Sequence, residues 1–175
     1  MAYSIRKAKQ TDVLQLEKLL AAYMRETYKS AWGGNARQLE RDIFDKAFEL
    51  IVAENADEQI IGFIALSDAY DLHWCLKGGV IIDFYVVPQN RGHGIGLLLA
   101  VESAALTQKR GGAFLHGGAV ENEIVRRLYG RIAMLQPKGE CYISGRAFRH
   151  FAGLSGKSLR EIVKNLPEVK WNYEP

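Results

Sequence analysis

Cysteine is scarce in this chain, and long apolar runs are missing. The two cysteines, Cys75 and Cys141, lie in unrelated segments, without metal-ligand spacing and too few for a disulfide framework. No stretch approaches the ~20 apolar residues of a membrane span, and the amino-terminal MAYSIRKAKQ lacks the apolar centre of a signal peptide. The sequence therefore predicts a cytoplasmic protein with two inert thiols and no membrane partner.

A large excess of charge of one sign is missing too. Lys and Arg number 23 against 20 Asp and Glu, and the resulting net charge of +3 is too small to argue for a nucleic-acid partner. Basic clusters are usually solvated faces, so we expect no nucleic-acid contact at the one that lies near the carboxyl terminus. It comprises Arg146, Arg149, His150, Lys157 and Arg160. With 175 residues, 48% of them hydrophobic, the chain has the size and composition of one globular domain.

Residues 80–96, VIIDFYVVPQNRGHGIG, carry the clearest functional signal. An apolar run typical of a buried strand ends at a proline, and the alternate glycines Gly92, Gly94 and Gly96 then precede a long helical stretch. A strand that passes through a glycine loop into a helix presents free backbone N–H groups and the positive end of the helix dipole at one point. Glycine also lets the backbone approach a bulky anion closely. The segment predicts a loop that holds a phosphate or pyrophosphate.

The glycine spacing excludes the two commonest nucleotide loops. A Walker loop ends in Gly-Lys-Ser/Thr, which is absent, and G-x-G-x-x-G counted from Gly92 or Gly94 meets Leu97 or Leu99 at its last position. The motif present is R-x-x-G-x-G, and with the phrase V-x-P-x-x-R-G-x-G-I-G it resembles motif A of the GNAT superfamily of acyl-CoA-dependent N-acyltransferases. An ordinary glycine turn between a strand and a helix is the alternative interpretation.

The resemblance implies acetyl-CoA as the acyl donor and no metal. The pantetheine arm of the donor would pair with backbone groups near Val86 and Val87, as an added strand would. The residues expected around the pyrophosphate are Arg91, Gly92, His93, Gly94, Ile95 and Gly96.

A second segment, Asn122–Tyr129, matches the family's N-x-x-A-x-x-(F/L)-Y helix as NEIVRRLY. Asn122, Val125 and Tyr129 fall on one helix face. The resemblance implies that Asn122 belongs to the donor site and that Tyr129 protonates the departing thiolate. A tyrosine that packs its ring and hydrogen-bonds the backbone is the alternative. The family's Gly-Phe after this helix is replaced by Ala133-Met134.

The general base is left open between several residues. Asp83 is the only charge in a strand that is apolar on both faces, which predicts a central position in the sheet. A carboxylate there is costly unless paired or used, and burial would favour its neutral form and make it a proton acceptor near neutral pH. A purely structural Asp83 is equally compatible with the pattern. Glu121 is the second candidate, His116 and His73 follow, and deprotonation through water is a further route.

Two predicted loops combine aromatic rings with carboxylates, which suits a cationic amine. Residues 69–72 and 82–86 are also loosely similar to diamine and polyamine acetyltransferases. The candidate acceptor residues are Tyr28, Trp32, Tyr70, Asp71 and His73. We therefore expect direct acetyl transfer to a small-molecule primary amine in a ternary complex. A protein or aminoacyl-tRNA acceptor is the first alternative, and a non-catalytic acyl-CoA-binding module is the second.

The predicted element order β-α-α-β-β-β-α-β-α-β-β indicates an α/β fold, a mixed sheet with helices on both faces, and the GNAT fold has the same order. The resemblance covers residues 1–145 as one domain, and we expect residues 146–175 to be a helical tail packed on it. Exposed sheet edges suggest a homodimer. The other expected elements are helices over 11–25, 36–48 and 95–110, a loop over 68–78 and the motif strand over 79–87.

Overall fold

Seven strands form a mixed sheet in this computed structural model, which describes residues 3–118, 123–135 and 140–173. The strands are β1 (Ser4–Lys7), β2 (Glu49–Glu54), β3 (Ile60–Asp71), β4 (Leu76–Val86), β5 (Phe114–Gly117), β6 (Met134–Leu135) and β7 (Cys141–Ser144). Their order in the sheet is β1-β2-β3-β4-β5-β7-β6. β4 and β5 run parallel, whereas β1 with β2, β5 with β7, and β6 with β7 are antiparallel. The predicted α/β fold with a mixed sheet is confirmed.

Six α-helices and three short 3₁₀ turns accompany the strands in the described part of the chain. The helices are α1 (Val13–Tyr28), α2 (Ala36–Phe44), α3 (Ile95–Lys109), α4 (Glu123–Ile132), α5 (Gly145–Ala152) and α6 (Leu159–Lys164). The 3₁₀ turns are Gln10–Asp12, Pro88–Asn90 and Val169–Tyr173. No helix of the described residues is long and apolar enough to cross a membrane.

Helix boundaries differ from the expected ones where a cap or a neighbour decides them. α1 continues to Tyr28, and Lys29 then ends it in the left-handed conformation with φ 55°. α2 begins at residue 36, as expected, after Asn35, whose side chain accepts the Gln38 N–H, but it ends at Phe44 rather than at residue 48. α3 is buried on several sides, since Leu97, Leu99 and Val101 are all buried.

The expected loop over residues 68–78 is wrong, because these residues form a β-hairpin. β3 continues to Asp71 and β4 begins at Leu76, so that only a four-residue turn lies between them. Gly78 and Gly79 are needed here for packing within a strand. A Cβ on Gly78 would lie 2.5 Å from the Phe114 ring, and one on Gly79 would lie 2.6 Å from Thr107 Oγ1.

The chain divides into two compact units, and the first comprises Met1–Ala65 and Asp83–Leu99. Its core holds three aromatic rings in mutual contact, those of Tyr23, Phe63 and Tyr85, with centroids 5.5 to 6.2 Å apart. The core brings the apolar face of α1 against β3 and the end of β4. This packing fixes the last turns of α1 beside the carboxyl-terminal half of β4.

Helices cover both faces of β3 within this first unit. Phe63 points to α1, where its ring meets Tyr23. The adjacent Gly62 points the other way, since a Cβ there would lie 3.5 Å from Leu99 of α3. Successive strand residues face opposite sides of a sheet, so the two contacts place α1 and α3 on opposite faces.

The second unit comprises Leu66–Ile82 and Ala100–Pro175. The Phe114 ring of β5 stacks on Tyr142 of β7 with centroids 5.1 Å apart, and Tyr142 Oη donates a 2.9 Å hydrogen bond to Asp71 Oδ2. The carboxyl-terminal residues are helical, as expected. α5 buries Phe148 and Phe151, and α6 begins with a capping box in which the Ser158 side chain accepts the Glu161 N–H.

Gly78→Ala tests whether packing, rather than a turn, requires glycine in β4. The new methyl group would overlap the Phe114 ring, which its stack on Tyr142 holds in place. We expect the free energy of unfolding to fall by about 1–3 kcal/mol in urea denaturation. Gly33→Ala is the matched control, because no atom lies within 4 Å of a Cβ there, and it should change stability by less than about 0.5 kcal/mol. Equal effects of the two substitutions would contradict this packing.

Candidate active site

The glycine loop adopts the backbone that its sequence predicts. β4 ends at Val86, one 3₁₀ turn follows, and α3 begins at Ile95. Gly92 and Gly94 have φ of 79° and 80°, in the left-handed region that side chains disfavour. Gly96 serves a different purpose, since a Cβ there would lie 3.1 Å from Phe84 Cζ. Two glycines thus shape the loop and the third lets α3 start close to β4.

Backbone donors accumulate at the start of α3. The first helical hydrogen bond runs from Leu98 N to Gly94 O at 3.1 Å. From Gly92 to Leu97, no backbone N–H finds an acceptor in the described part of the chain. These are the orphan donors of a helix amino terminus, and the helix dipole adds positive potential at the same point. The loop fits a phosphate or pyrophosphate group, which such sites bind through N–H groups.

The Arg91 side chain turns away from these amides and onto α1. Its Nη1 and Nη2 donate to the two carboxylate oxygens of Glu26 at 2.7 and 3.0 Å, and its Nε donates to Val86 O at 2.7 Å. Tyr85 Oη also donates to Glu26, at 2.9 Å. The bonds from Arg91 hold the pKa of Glu26 below its usual range, so the carboxylate is ionised at neutral pH.

The backbone of Val86 and Val87 is largely committed. Val86 O accepts from Arg91, Val87 N donates to Ile61 O at 3.0 Å, and Val87 O accepts from Asn90 N at 2.9 Å. Successive N–H groups of a strand point to opposite sides, so the Val86 N–H points away from β3. Of the two residues expected to pair with a pantetheine arm, Val87 has both backbone groups bonded and Val86 has its carbonyl bonded.

Asp83 is half-buried on β4 and receives a hydrogen bond from α1. Tyr23 Oη donates to Asp83 Oδ1 at 2.6 Å, and Tyr28 Oη lies 3.3 Å from Tyr23 Oη. Burial and the nearby carboxylate raise the pKa of the Tyr23 hydroxyl, which therefore remains a donor at neutral pH. Asp83 Oδ2 has no hydrogen-bond partner among the described residues and is available for a proton or an ammonium group.

Tyr129 lies on α4 in the second unit, as expected, and its ring is half-buried. Its hydroxyl has no hydrogen-bond partner among the described residues. Burial, with a smaller contribution from Cys141, raises the pKa of this hydroxyl. A neutral phenol of this kind can donate a proton. Glu121 and Asn122, which the sequence suggested beside Tyr129, lie outside the described residues.

The candidate acceptor residues fall into both units. In the first, Tyr28 is 57% exposed, and Trp32 lines a pocket of ≈ 650 Å³ together with Arg25 and Lys29.

In the second unit, Tyr70 lines a pocket of ≈ 400 Å³. Asp71 is held by Tyr142, and the exposed His73 places its Nδ1 3.5 Å from Asp71 Oδ1. His116 Nε2 lies 3.4 Å from a carboxylate oxygen of Glu140. The described residues include no group of three His, Cys, Asp or Glu side chains that could hold a metal ion.

Two residues of the site, Glu26 and Tyr85, have no part in the interpretation of the sequence. The spacing of residues along α1 and along β4 does contain a signal for them. Tyr23 and Glu26 are three residues apart on α1 and share one helix face, and Asp83 and Tyr85 are two residues apart on β4. Only the pairing between the helix and the strand, which the sequence does not show, connects the two sets.

Comparison with known proteins agrees with the geometry of the loop. The family model described as the acetyltransferase (GNAT) family matches residues 13–134. Among solved structures, a ribosomal-protein-alanine N-acetyltransferase from Brucella melitensis biovar Abortus 2308 is 26% identical, with a TM-score of 0.62, over 78% of this chain and 94% of that chain. A search of curated proteins found no match.

Two further structures share the fold at lower identity. The protein yncA from Salmonella typhimurium, solved with its cofactor acetyl-CoA, is 14% identical with a TM-score of 0.65, over 82% of this chain and 94% of that chain. An integron cassette protein from V. cholerae is 21% identical with a TM-score of 0.62, over 90% of this chain and 99% of that chain. Because the family model covers more than half of the sequence, the chain belongs to the GNAT family of acetyltransferases and is an acyl-CoA-dependent N-acyltransferase.

Proposed function

We propose that this protein transfers an acetyl group from acetyl-CoA to the primary amine of a small molecule, by direct transfer in a ternary complex. The observation that carries the proposal is the run of backbone N–H groups from Gly92 to Leu97, which find no acceptor among the described residues and lie in a segment that contains two left-handed glycines. Such a run recognises a pyrophosphate without requiring a nucleotide base. The expected donor site comprises this loop together with Val86, Val87 and Asn122.

The acceptor side of the proposal rests on the first unit. Asp83 offers an unpaired carboxylate oxygen beside the rings of Tyr23 and Tyr28, a combination that suits a cationic amine. Trp32 lines a separate pocket together with Arg25 and Lys29, whose positive charges do not favour a cationic amine, so the acceptor proposal rests on Asp83 and its tyrosines. The small net charge of +3 gives no support to a nucleic-acid acceptor.

In the proposed mechanism, bound acetyl-CoA supplies a thioester carbonyl as the electrophile. Asp83, or Glu121 in its place, accepts the proton of the acceptor amine, either directly or through water. As the new C–N bond forms and the C–S bond breaks, Tyr129 donates its hydroxyl proton to the sulfur. The loop amides hold the donor in position throughout, which lowers the entropic part of the barrier. The proton taken up by the carboxylate balances the one that Tyr129 gives up.

A protein amine is the second candidate acceptor. It is favoured by the 26% identity to a ribosomal-protein-alanine N-acetyltransferase. Under this alternative the amine is the free amino terminus of a peptide, and the helical residues 146–175 contribute to its recognition. Under the main proposal those residues are a tail packed on a GNAT domain of residues 1–145.

A screen of acceptors separates the two candidates. Release of free CoA thiol from acetyl-CoA would be measured with alkyl amines, diamines, aminoglycosides, amino acids and peptides with an amino-terminal alanine. The main proposal predicts turnover with small amines and none with peptides. Turnover with peptides alone would contradict it and support the second candidate.

Tyr129→Phe tests the proposed acid. The substitution removes only the hydroxyl, so we expect kcat to fall by about 10²-fold or more while the Kd for CoA changes by less than about threefold. Steady-state kinetics and calorimetric titration would provide the two numbers. An unchanged kcat would remove Tyr129 from the mechanism.

Gly94→Glu tests the donor loop. A carboxylate at this position would crowd and repel the pyrophosphate, and we expect CoA binding to be abolished in calorimetry while circular dichroism shows a folded protein. Gly111→Glu is the matched control, because Gly111 also has a positive φ, 84°, and no atom lies within 4 Å of its Cβ position. The control should bind CoA normally. If Gly94→Glu still binds CoA, the loop has another role.

Substitution of each candidate base in turn tests the step in which the amine loses its proton. Asp83→Asn should lower kcat by on the order of 10²–10⁴-fold, because an amide cannot accept the proton, with little change in the KM for acetyl-CoA. Glu121→Gln should then remain within a fewfold of the wild type. A large loss in Glu121→Gln alone would assign the role to Glu121, and no loss in either variant would contradict a carboxylate base.

A further inference from the structure

Arg91 is the only charged residue of the glycine-loop motif R-x-x-G-x-G, yet its contacts lie elsewhere. The guanidinium binds Glu26 through two nitrogens at 2.7 and 3.0 Å and Val86 O through Nε at 2.7 Å. Its Cζ lies 5.3 Å from the centre of the Tyr85 ring. Three of the five N–H donors that a guanidinium carries are therefore committed within the first unit.

Glu26, like the arginine that it binds, makes several side-chain hydrogen bonds. Tyr85 Oη donates to Glu26 Oε2 at 2.9 Å, so one carboxylate oxygen accepts from both Tyr85 and Arg91. A bidentate pair fixes direction as well as distance. Glu26 also lies one turn after Tyr23, which is buried in the core of this unit. The pair thus ties the entry of the glycine loop to α1, with side chains that are 45% exposed for Arg91 and 39% exposed for Glu26.

The same contacts change what Arg91 can contribute to an anion site. The negative charge of the bound carboxylate offsets part of the positive charge of the guanidinium near the loop. The loop amides, in contrast, have no acceptors among the described residues. An anion at this loop would therefore depend on the direction of the backbone N–H groups more than on the arginine charge.

We propose that Glu26 is a positioning residue of the donor site: through Arg91 it fixes the Val86 carbonyl and the entry of the glycine loop, so that the amides of Gly92–Leu97 converge on one anion. The inference rests on the proposed function, in which this loop holds the pyrophosphate of the acyl donor. Glu26 itself touches no donor atom in this arrangement. Its effect is transmitted by a side chain that belongs to the motif.

A double-mutant cycle tests the proposal. A positioning role for Glu26 and direct binding of the anion by Arg91 predict opposite changes in CoA affinity for Glu26→Gln. Glu26→Gln, Arg91→Gln and the double variant would be compared with the wild type by calorimetric titration with CoA and by the KM and kcat with acetyl-CoA. Glu49→Gln is the matched control, because it removes the same charge from another ion pair of this unit, the one with Lys7 at 2.8 Å.

We expect each single substitution to raise the Kd for CoA and the KM for acetyl-CoA by on the order of tenfold, since each leaves the loop entry unanchored. The double variant should be no weaker than either single variant, because both remove the same link. The kcat should stay within about threefold, and Glu49→Gln should match the wild type. Arg91→Lys should not restore affinity, because an ammonium cannot bind a carboxylate with two parallel bonds.

The opposite pattern would overturn the proposal. If Arg91 binds the pyrophosphate directly, Arg91→Gln weakens CoA binding, while Glu26→Gln leaves it unchanged or strengthens it by freeing the arginine. Unchanged affinity in both single variants would equally overturn it, even if their melting temperatures fall. A wild-type protein that does not bind CoA would instead overturn the proposed function, which distinguishes the two failures.

Discussion

The backbone N–H groups at the start of α3 impose the constraint on which the rest of the first unit depends. A helix amino terminus leaves several donors unsatisfied, and in this protein no acceptor among the described residues takes those from Gly92 to Leu97. Left-handed backbone at Gly92 and Gly94 keeps these donors unobstructed by side chains. An anion is the natural acceptor, and the direction of the amides determines how well it is held.

Helix α1 holds β4 and the loop that follows it. Tyr23 donates to Asp83, and one turn later Glu26 binds both Tyr85 and Arg91. A single helix face therefore fixes the candidate base and the entry of the donor loop. The Asp83 carboxylate meets a hydrogen-bond donor of α1 in Tyr23. Because the aromatic rings of this unit are in mutual contact, a shift of α1 would displace both the candidate base and the entry of the glycine loop.

An N-acyltransferase depends on accurately placed structural elements more than on chemically unusual side chains. A thioester is already reactive toward a neutral amine, so the protein has to align the two reactants, accept one proton and return another. In the proposed mechanism, the raised pKa of the Tyr129 hydroxyl keeps it protonated until the thiolate forms. Asp83 Oδ2, which has no partner among the described residues, would take up the proton of the amine. Neither role requires a metal or a covalent acyl-enzyme.

Local sequence signals predicted those parts of the structure that local forces determine. The motif strand, the glycine loop and α3 follow from an apolar run, alternate glycines and helical periodicity within one segment. The β3–β4 hairpin was missed because Gly78 and Gly79 are required by Phe114 and Thr107, which come much later in the chain. Glu26 was missed for the same reason, since Arg91 is 65 residues away. Asp83 could be proposed from the sequence because a lone charge in an apolar strand needs a partner or a function wherever in the chain that partner lies.

Binding of the CoA pyrophosphate by the amides of the glycine loop can be measured by titrating ¹⁵N-labelled protein with CoA and following the amide chemical shifts, because each N–H group reports separately. We expect the largest downfield shifts at the backbone amides of Gly92, His93, Gly94, Ile95, Gly96 and Leu97. Binding of CoA with unchanged shifts at these amides, and large shifts elsewhere, would contradict this role of the loop.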